Sequence, residues 1–244
     1  GDILWDGRFN DLTSSEDLTK WSFSNEVGPY QYYIHGDGNV TEYVNLNRDF
    51  KNPADEASSK GVKITIDQTS HWEGQDMLRT ELIPQTTAAI NKGKVYYHFS
   101  MKRTDTNAPS VDMEHQVNFF ESHFTEMKYG WINGEQGTDN PNLQWMVTSQ
   151  SQWKTPFTAG QWYNFAYEID FDGQTVGLWG SNGSDSLSQI VVPVSASASS
   201  NGADWHLGVL RLPRTGYTDS PTEDWYFSGV YIESGELTKS VTGP

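Results

Sequence analysis

The chain has 244 residues, no cysteine and a net charge of −16. Without cysteine it has neither disulfides nor thiolate chemistry, and its negative charge would repel a phosphate backbone, so nucleic acid is not an expected partner. No segment approaches the roughly 18 consecutive apolar residues of a membrane span, and we expect no membrane partner.

Strand patterns dominate the chain from its N-terminal third onwards. The predicted strands, in chain order, are residues 31–34, 43–46, 61–67, 77–83, 94–102, 116–124, 143–148, 163–171, 175–180, 189–194, 206–212 and 226–234. Most are rich in β-branched and aromatic residues and are separated by Gly, Asn, Asp and Pro. Residues 14–18 and 86–91 are predicted as short helical turns, and residues 171–174 as a hairpin turn in which Asp-Gly provides positive φ.

The number and even spacing of these strands predict an all-β fold. We expect a two-sheet antiparallel β-sandwich, a β-jelly roll, that forms one domain over residues 1–244. In such a sandwich the concave sheet forms a groove, and alternate residues of its strands face that groove.

Aromatic residues make up 14% of the chain, with 10 Trp and 12 Tyr. Many of them are needed for the core of an all-β domain. Others would suit a sugar-binding cleft, where aromatic rings stack on pyranose rings and their polar tips bind hydroxyl groups. We place Tyr30, Tyr32 and Trp72 in the groove on this basis.

The strand at residues 77–83 carries an unusual pair of charges. Because side chains alternate along a strand, Arg79 and Glu81 share one face with Met77, and the other face carries Leu78, Thr80 and Leu82. Arg79 is close enough to pair with Glu81 and to keep it ionised. The simpler interpretation is an ion pair on a solvated sheet.

A second polar strand favours a catalytic interpretation. Residues 115–124 read HQVNFFESHF, with His115, Gln116, Asn118, Glu121 and His123 among phenylalanines. Neither alternating set is cleanly apolar, which indicates a polar groove or a β-bulge. Two carboxyl groups that flank one bond are the minimum needed for glycoside hydrolysis, so Glu81 and Glu121 are the predicted catalytic pair.

The strand at residues 206–212 adds His206, which shares a face with Gly208 and Leu210. A glycine there would let a ligand approach the backbone closely. We predict Arg79, His115, Gln116, Asn118, His123 and His206 as substrate-binding residues. No metal-ligand spacing is present, so no cofactor is predicted, although an acidic sandwich is compatible with a structural calcium ion.

Four segments of the chain are long and idiosyncratic: residues 3–10 (ILWDGRFN), 27–35 (VGPYQYYIH), 79–85 (RTELIPQ) and 119–124 (FFESHF). Together they resemble segments of fungal β-glucanases of glycoside hydrolase family 131. The resemblance implies a secreted, extracellular fungal β-jelly roll that hydrolyses β-1,3, β-1,6 and β-1,4 glucosidic bonds. It also implies that the two acidic catalysts are Glu81 and Glu121.

Two alternative functions use the same fold. Alginate-lyase-like polysaccharide lyases share the Arg-Thr-Glu-Leu strand, but this chain has Asn118 where such a lyase needs a histidine and Leu210 where it needs a tyrosine. Neither side chain can remove or supply the required proton. A non-catalytic glucan-binding lectin would use the same aromatic residues without needing the glutamates.

The prediction is therefore a hydrolase that acts on β-glucan polysaccharides or oligosaccharides as a monomer. One glutamate protonates the glycosidic oxygen, and the other stays ionised to activate water or attack the anomeric carbon. Glu81, beside Arg79, is the predicted ionised member. Stereochemistry depends on the separation of the carboxyl groups, and of the two outcomes we predict inversion.

Overall fold

A computed structural model of the chain describes residues 1–244. The strands are β1 (Asp2–Asp6), β2 (Tyr30–Ile34), β3 (Val44–Asn47), β4 (Gly61–Ile66), β5 (Leu78–Pro84), β6 (Lys94–Lys102), β7 (His115–Phe120), β8 (Thr125–Tyr129), β9 (Asn142–Val147), β10 (Gln150–Pro156), β11 (Tyr163–Asp170), β12 (Thr175–Asn182), β13 (Ser188–Ser195), β14 (Trp205–Arg211) and β15 (Glu223–Ser234). One α-helix, α1, spans Val40–Tyr43, and 3₁₀ helices span Phe9–Asp11, Ser15–Lys20, Arg48–Phe50 and Trp72–Gly74.

The strands form two antiparallel sheets, as the sequence predicts. One has eight strands in the order β13-β12-β11-β6-β15-β4-β3, with β1 also paired to β15. The other has seven strands in the order β10-β9-β8-β7-β14-β5-β2. Their inner faces enclose a core of large aromatic residues, among them Trp145, Trp205, Trp225 and Tyr97. The all-β, jelly-roll class is therefore confirmed.

Alternation along β5 sets the orientation of the polar residues. Leu78 and Leu82 belong to the core, and the Thr80 hydroxyl donates a hydrogen bond to the Thr65 carbonyl of the opposing sheet. The intervening residues, including Arg79 and Glu81, therefore lie on the outer face of the seven-stranded sheet. We call this surface the polar face.

Three strands were missed by the sequence prediction. They are β1, β8 and β10, and β10 is an edge strand with mostly exposed residues. Residues 121–124, predicted as strand, form the turn between β7 and β8. The helical turn predicted at residues 14–18 is the 3₁₀ helix Ser15–Lys20, capped by the Ser14 hydroxyl, whereas residues 86–91 contain no helix.

The hairpin predicted at residues 171–174 does join β11 to β12. Its residue of positive φ, however, is Gln174 at 56° rather than Gly173. The Asp170 carboxylate accepts the backbone N–H groups of Asp172 and Gly173, and this holds the turn. None of the helices combines the length and apolar character that a membrane crossing requires.

Candidate active site

Arg79 and Glu81 form a buried, two-bonded ion pair on the polar face. Arg79 Nε lies 2.6 Å from Glu81 Oε2, and Arg79 Nη2 lies 2.6 Å from Glu81 Oε1. Both side chains are buried, and Glu81 has no exposed surface. A fork-to-fork pair of this kind fixes the orientation of the carboxylate as well as its charge.

His206, on β14, connects this ion pair to the second glutamate. Its Nδ1 lies 2.6 Å from Glu81 Oε1, and its Nε2 lies 3.3 Å from Glu121 Oε2. Glu81 and Glu121 are therefore brought to opposite sides of one imidazole ring. An ionised Glu81 can only accept a hydrogen bond, so Nδ1 carries the hydrogen and donates it to Glu81 Oε1, which fixes one end of the ring.

The environment of Glu81 favours its ionised form. Burial by itself would raise the pKa of Glu81, but the hydrogen bonds from Arg79 and His206 outweigh burial and hold this pKa below its ordinary value. Glu121 differs, because 56% of its side chain is exposed. The two carboxyl groups thus have contrasting environments, as an acid and base pair requires.

Glu121 follows the last residue of β7 and is placed by its backbone. Its N–H donates a 3.0 Å hydrogen bond to the Asp204 carbonyl, just before β14 begins. The chain then turns sharply through His123, whose φ is 56°. These contacts bring Glu121 beside His206, although the two residues belong to different segments.

A β-bulge lies next to this site. Between His206 and Val209 the pairing of β14 with β7 shifts, and Asn118 of β7 has a φ of 47°. The Asn118 side-chain oxygen accepts the Gly208 N–H at 3.0 Å. Gly208 is opposite Glu81 on β5, where an added Cβ would lie 2.3 Å from the Thr80 carbonyl oxygen. Gly208 therefore lets β5 pair closely with β14. The sequence predicts that a ligand approaches the backbone at Gly208, but in the structure strand β5 occupies that place.

Strand alternation after the bulge puts the two phenylalanines of the FFESHF segment on opposite faces of the sheet. Phe120 belongs to the core, whereas Phe119 stacks on His206 at a centroid distance of 4.7 Å. Phe119 also stacks on His123 at 5.7 Å. The His123 Nδ1 is held by the Glu126 carboxylate at 2.7 Å, and this hydrogen bond raises the pKa of His123.

Four aromatic residues flank the ion pair at the edge strand β2, and we call them the aromatic patch: Trp21, Phe23, Tyr33 and Trp72. The guanidinium of Arg79 lies over the Trp72 ring at 5.2 Å, and Tyr33 packs edge-on against Trp72 at 5.9 Å. Burial and the nearby carboxylates of Glu121 and Glu81 raise the pKa of Tyr33. The charges of both acids therefore act on Tyr33.

Neither of the two tyrosines predicted for the groove lies there. Tyr30 is buried, with its hydroxyl donating to the Gly7 carbonyl, and Tyr32 is buried and stacked on His35. Tyr33 occupies the polar face instead. The signal for this was present, because the run YQYYI puts Tyr33 on the same face as polar Gln31 and opposite to Tyr30 and Ile34.

His115 is also displaced from its predicted position. It is fully buried between the sheets, with Nε2 2.7 Å from Glu223 and Nδ1 3.0 Å from the Tyr129 carbonyl oxygen. Gln116 takes the polar face, opposite Leu210 of β14 and Lys128 of β8. Asn118 is buried and bonded to the backbone, so its side-chain oxygen is not free for a substrate.

Comparison with known proteins decides the family. The family model for the glycoside hydrolase 131 catalytic N-terminal domain matches residues 3–238. The chain belongs to glycoside hydrolase family 131. A β-glucanase catalytic domain of this family from Podospora anserina is 64% identical, with a TM-score of 0.98 and 100% of both chains covered. A family 131 catalytic domain from Coprinopsis cinerea is 50% identical, with a TM-score of 0.92 and 98% of both chains covered.

More distant structures share only the architecture with this family 131 domain. An alginate lyase of polysaccharide lyase family 7 is 13% identical, with a TM-score of 0.52 over 89% of this chain and 95% of that one. At this identity the likeness is one of fold alone. The comparison with curated proteins gave no match.

Membership of family 131 makes this chain a glycoside hydrolase domain. Glycoside hydrolysis requires a proton donor and an ionised base or nucleophile around one bond. The Glu121 carboxyl group is exposed. The Glu81 carboxyl group is buried and bonded to two basic side chains, Arg79 and His206. These environments are suited to the two roles. His206, which the sequence predicts as a substrate-binding residue, lies between them and contacts both.

Proposed function

We propose that this family 131 domain hydrolyses β-linked glucans with Glu81 and Glu121 as its pair of working carboxyl groups. One observation carries the proposal: the two carboxyl groups contact the two nitrogens of a single imidazole, His206. The substrate class is supported by the 64% identical Podospora anserina domain, which is described as a β-glucanase.

In this proposal Glu121 is the general acid. Its side chain is half exposed, so it can reach a glycosidic oxygen bound on the polar face. Protonation of that oxygen makes the sugar alcohol a good leaving group, and a positioned acid contributes about 10²- to 10⁴-fold to such a step.

Glu81 supplies the negative charge and acts through His206. Since ionised Glu81 accepts a hydrogen bond from Nδ1–H, the lone pair of His206 is on Nε2, which receives the proton of an attacking water. The charge of Glu81 then stabilises the imidazolium. After cleavage Glu121 has lost its proton and His206 has gained one, and transfer from Nε2 to the neighbouring Glu121 restores both groups.

The geometry favours a single displacement by water. The imidazole lies between Glu81 and Glu121, whereas retention needs a carboxylate that reaches the anomeric carbon directly. Buried Glu81 is also poorly placed to attack a sugar carbon. We propose inversion, so that proton NMR of early hydrolysis products from a β-glucan should detect the α-anomer first.

The remaining parts of the proposal concern binding and context. Arg79, Gln116, His123 and Trp72 lie on or beside the polar face and are the proposed substrate-contacting residues, while buried Asn118 supports the bulge. We propose cleavage of β-1,3, β-1,6 and β-1,4 bonds, by a secreted monomer that needs no cofactor. The high negative charge of the chain is compatible with a neutral polymer and unfavourable for a polyuronate.

The decisive experiment compares E81Q, E121Q and H206Q with wild type on laminarin and barley β-glucan, by assay of new reducing ends. Each variant should lose about 10²-fold or more of turnover while circular dichroism shows an unchanged fold. E236Q, at an exposed glutamate after β15, is the matched control and should be fully active. Near-normal turnover in E81Q or E121Q would refute the role of that glutamate.

A second measurement separates the acid from the base. An aryl β-oligoglucoside with a dinitrophenolate leaving group needs no protonation, so E121Q should recover much of its activity on that substrate. E81Q and H206Q should not recover. If Glu81 acts through His206, the E81Q/H206Q double variant should be about as active as the weaker single variant.

The lyase alternative predicts a different product. Glucuronan treated with the protein would then gain ultraviolet absorbance from unsaturated uronates. We expect none, because Leu210 has no proton to transfer and the Asn118 oxygen is bonded to Gly208. Binding of glucan with no released sugar would identify a lectin instead.

A further inference from the structure

Phe23 is an aromatic residue that the chain holds out in solvent. It is 71% exposed, and the other large exposed hydrophobic residues are aliphatic: Ile3, Val27, Val111 and Val192. Phe23 lies in a tight turn that two backbone hydrogen bonds close between Ser22 and Asn25, at 3.1 and 3.0 Å. The turn therefore holds the Phe23 ring in a fixed position on the surface.

Two aromatic neighbours, buried Trp21 and half-buried Tyr33, support the Phe23 ring from below. Trp21 contacts it edge-on at a centroid distance of 4.8 Å, and Tyr33 contacts it at 5.1 Å. Trp21 is itself buried and fixed by its indole N–H, which donates to the Gln85 side chain at 2.7 Å. Aromatic contacts of this kind restrict ring motion, so Phe23 is oriented in advance of any ligand.

The exposed ring is continuous with the catalytic carboxyl groups. From Phe23 the aromatic patch passes to Tyr33 and then to Trp72, over which Arg79 lies. Arg79 holds Glu81. A continuous series of side-chain contacts therefore runs from the ion pair, across the edge strand β2, to the tip of the Ser22–Asn25 turn.

We propose that the aromatic patch is a sugar-binding subsite beyond the cleaved bond, with Phe23 as its outermost ring. The ligand is a neutral β-linked pyranose unit of the same glucan chain, bound through the apolar face of its ring. The inference rests on the proposed function, because it takes the ligand to be a glucan whose cleaved bond lies beside Glu81 and Glu121.

The chemistry of the patch selects this ligand class. Phe23, Tyr33 and Trp72 are uncharged and present ring surfaces, which pack against C–H groups of a sugar and do not compensate a charge. An acidic protein gives no additional attraction to a uronate at this place. A chain of several sugar units would contact Phe23, whereas a short substrate confined to the acid pair would not.

The test uses F23A, with F23Y as the conservative variant and V192A as the matched control. Val192 is 65% exposed on β13, in the other sheet. On laminarin and barley β-glucan, F23A should raise KM by about 3- to 10-fold with little change in kcat, as expected for loss of one stacking contact. F23Y should retain most of the wild-type KM, and V192A should not differ from wild type.

Direct binding completes the test. In an E121Q background, calorimetry with laminarihexaose and cellohexaose should show weaker binding for F23A, while the corresponding disaccharides bind F23A/E121Q and E121Q equally. An unchanged KM for the polymers together with unchanged hexaose affinity in F23A would overturn the subsite. Full activity of E81Q and E121Q would instead overturn the proposed catalytic pair and leave a Phe23-dependent binding loss standing.

Discussion

Glu223 is the centre of a charged cluster buried between the two sheets, away from the polar face. Its carboxylate contacts His115 Nε2 at 2.7 Å and Arg211 Nη1 at 2.6 Å, and it accepts the Trp225 indole N–H at 3.2 Å. All the charged side chains of the cluster are buried. We expect E223Q to destabilise the fold strongly, because it leaves Arg211 buried without a counter-charge.

The size of the effect follows from the ionisation of Glu223. Burial opposes ionisation, but the neighbouring charges of His115 and Arg211 outweigh it and hold the pKa at about 2, below the ordinary 4.5. By linkage, this difference corresponds to about 3 kcal/mol of stability. Because the folded pKa is the lower one, the contribution is complete above about pH 4.5 and is lost as the pH falls towards 2.

Urea unfolding from pH 7 to pH 2.5 measures this contribution. At pH 7 the free energy of unfolding of E223Q should be about 3–5 kcal/mol below that of wild type, and the difference should shrink below pH 4.5. D105N, at an exposed carboxylate, is the control and should have no measurable effect. A difference below about 1 kcal/mol at pH 7, or one that is constant down to pH 2.5, would refute the reasoning.

Three further predictions concern the active site. G208A should lower both Tm and turnover, because its Cβ would lie 2.3 Å from the Thr80 carbonyl oxygen and 2.9 Å from the Glu81 Cα. The control is G134A, which is also at positive φ but has open space around the added Cβ. It should cost less stability and leave turnover unchanged. Y33F should lower kcat/KM on laminarin, since the charges of both acids act on the Tyr33 hydroxyl. Y32F should leave kcat/KM unchanged, since the buried Tyr32 hydroxyl has no hydrogen-bond partner. E126Q should lower the pKa of His123, measured by NMR titration, because the Glu126 carboxylate is what raises it; an unchanged titration would contradict that cause.

The sequence by itself determined the fold class and the ion pair. Short alternating segments separated by turn residues can bury their apolar faces only by packing sheet against sheet. Within β5 alternation alone places Arg79 and Glu81 on one face, and the two-bonded pair is present. Strand β10 escaped prediction because, as an exposed edge strand, it lacks an apolar face.

Strand β2 shows where a local pattern becomes insufficient. Its alternation separates Tyr30, Tyr32 and Ile34 from Gln31 and Tyr33 and so favours burial of the first set, but it does not show what Tyr33 contacts on the outer face. Packing decides this: Tyr30 contacts Trp5 and Phe9 in the core, and Tyr33 packs against Trp72, over which Arg79 lies.

Only the tertiary structure brings the residues of the candidate active site together. Glu81, Glu121 and His206 lie on β5, after β7 and on β14, and no local rule sets the register between these strands. That register depends on the bulge at Asn118 and on Gly208, which lets β14 approach β5 closely. The role of His206 as the residue between the two carboxyl groups is thus a property of strand pairing over long sequence separations, which the sequence of each strand does not encode.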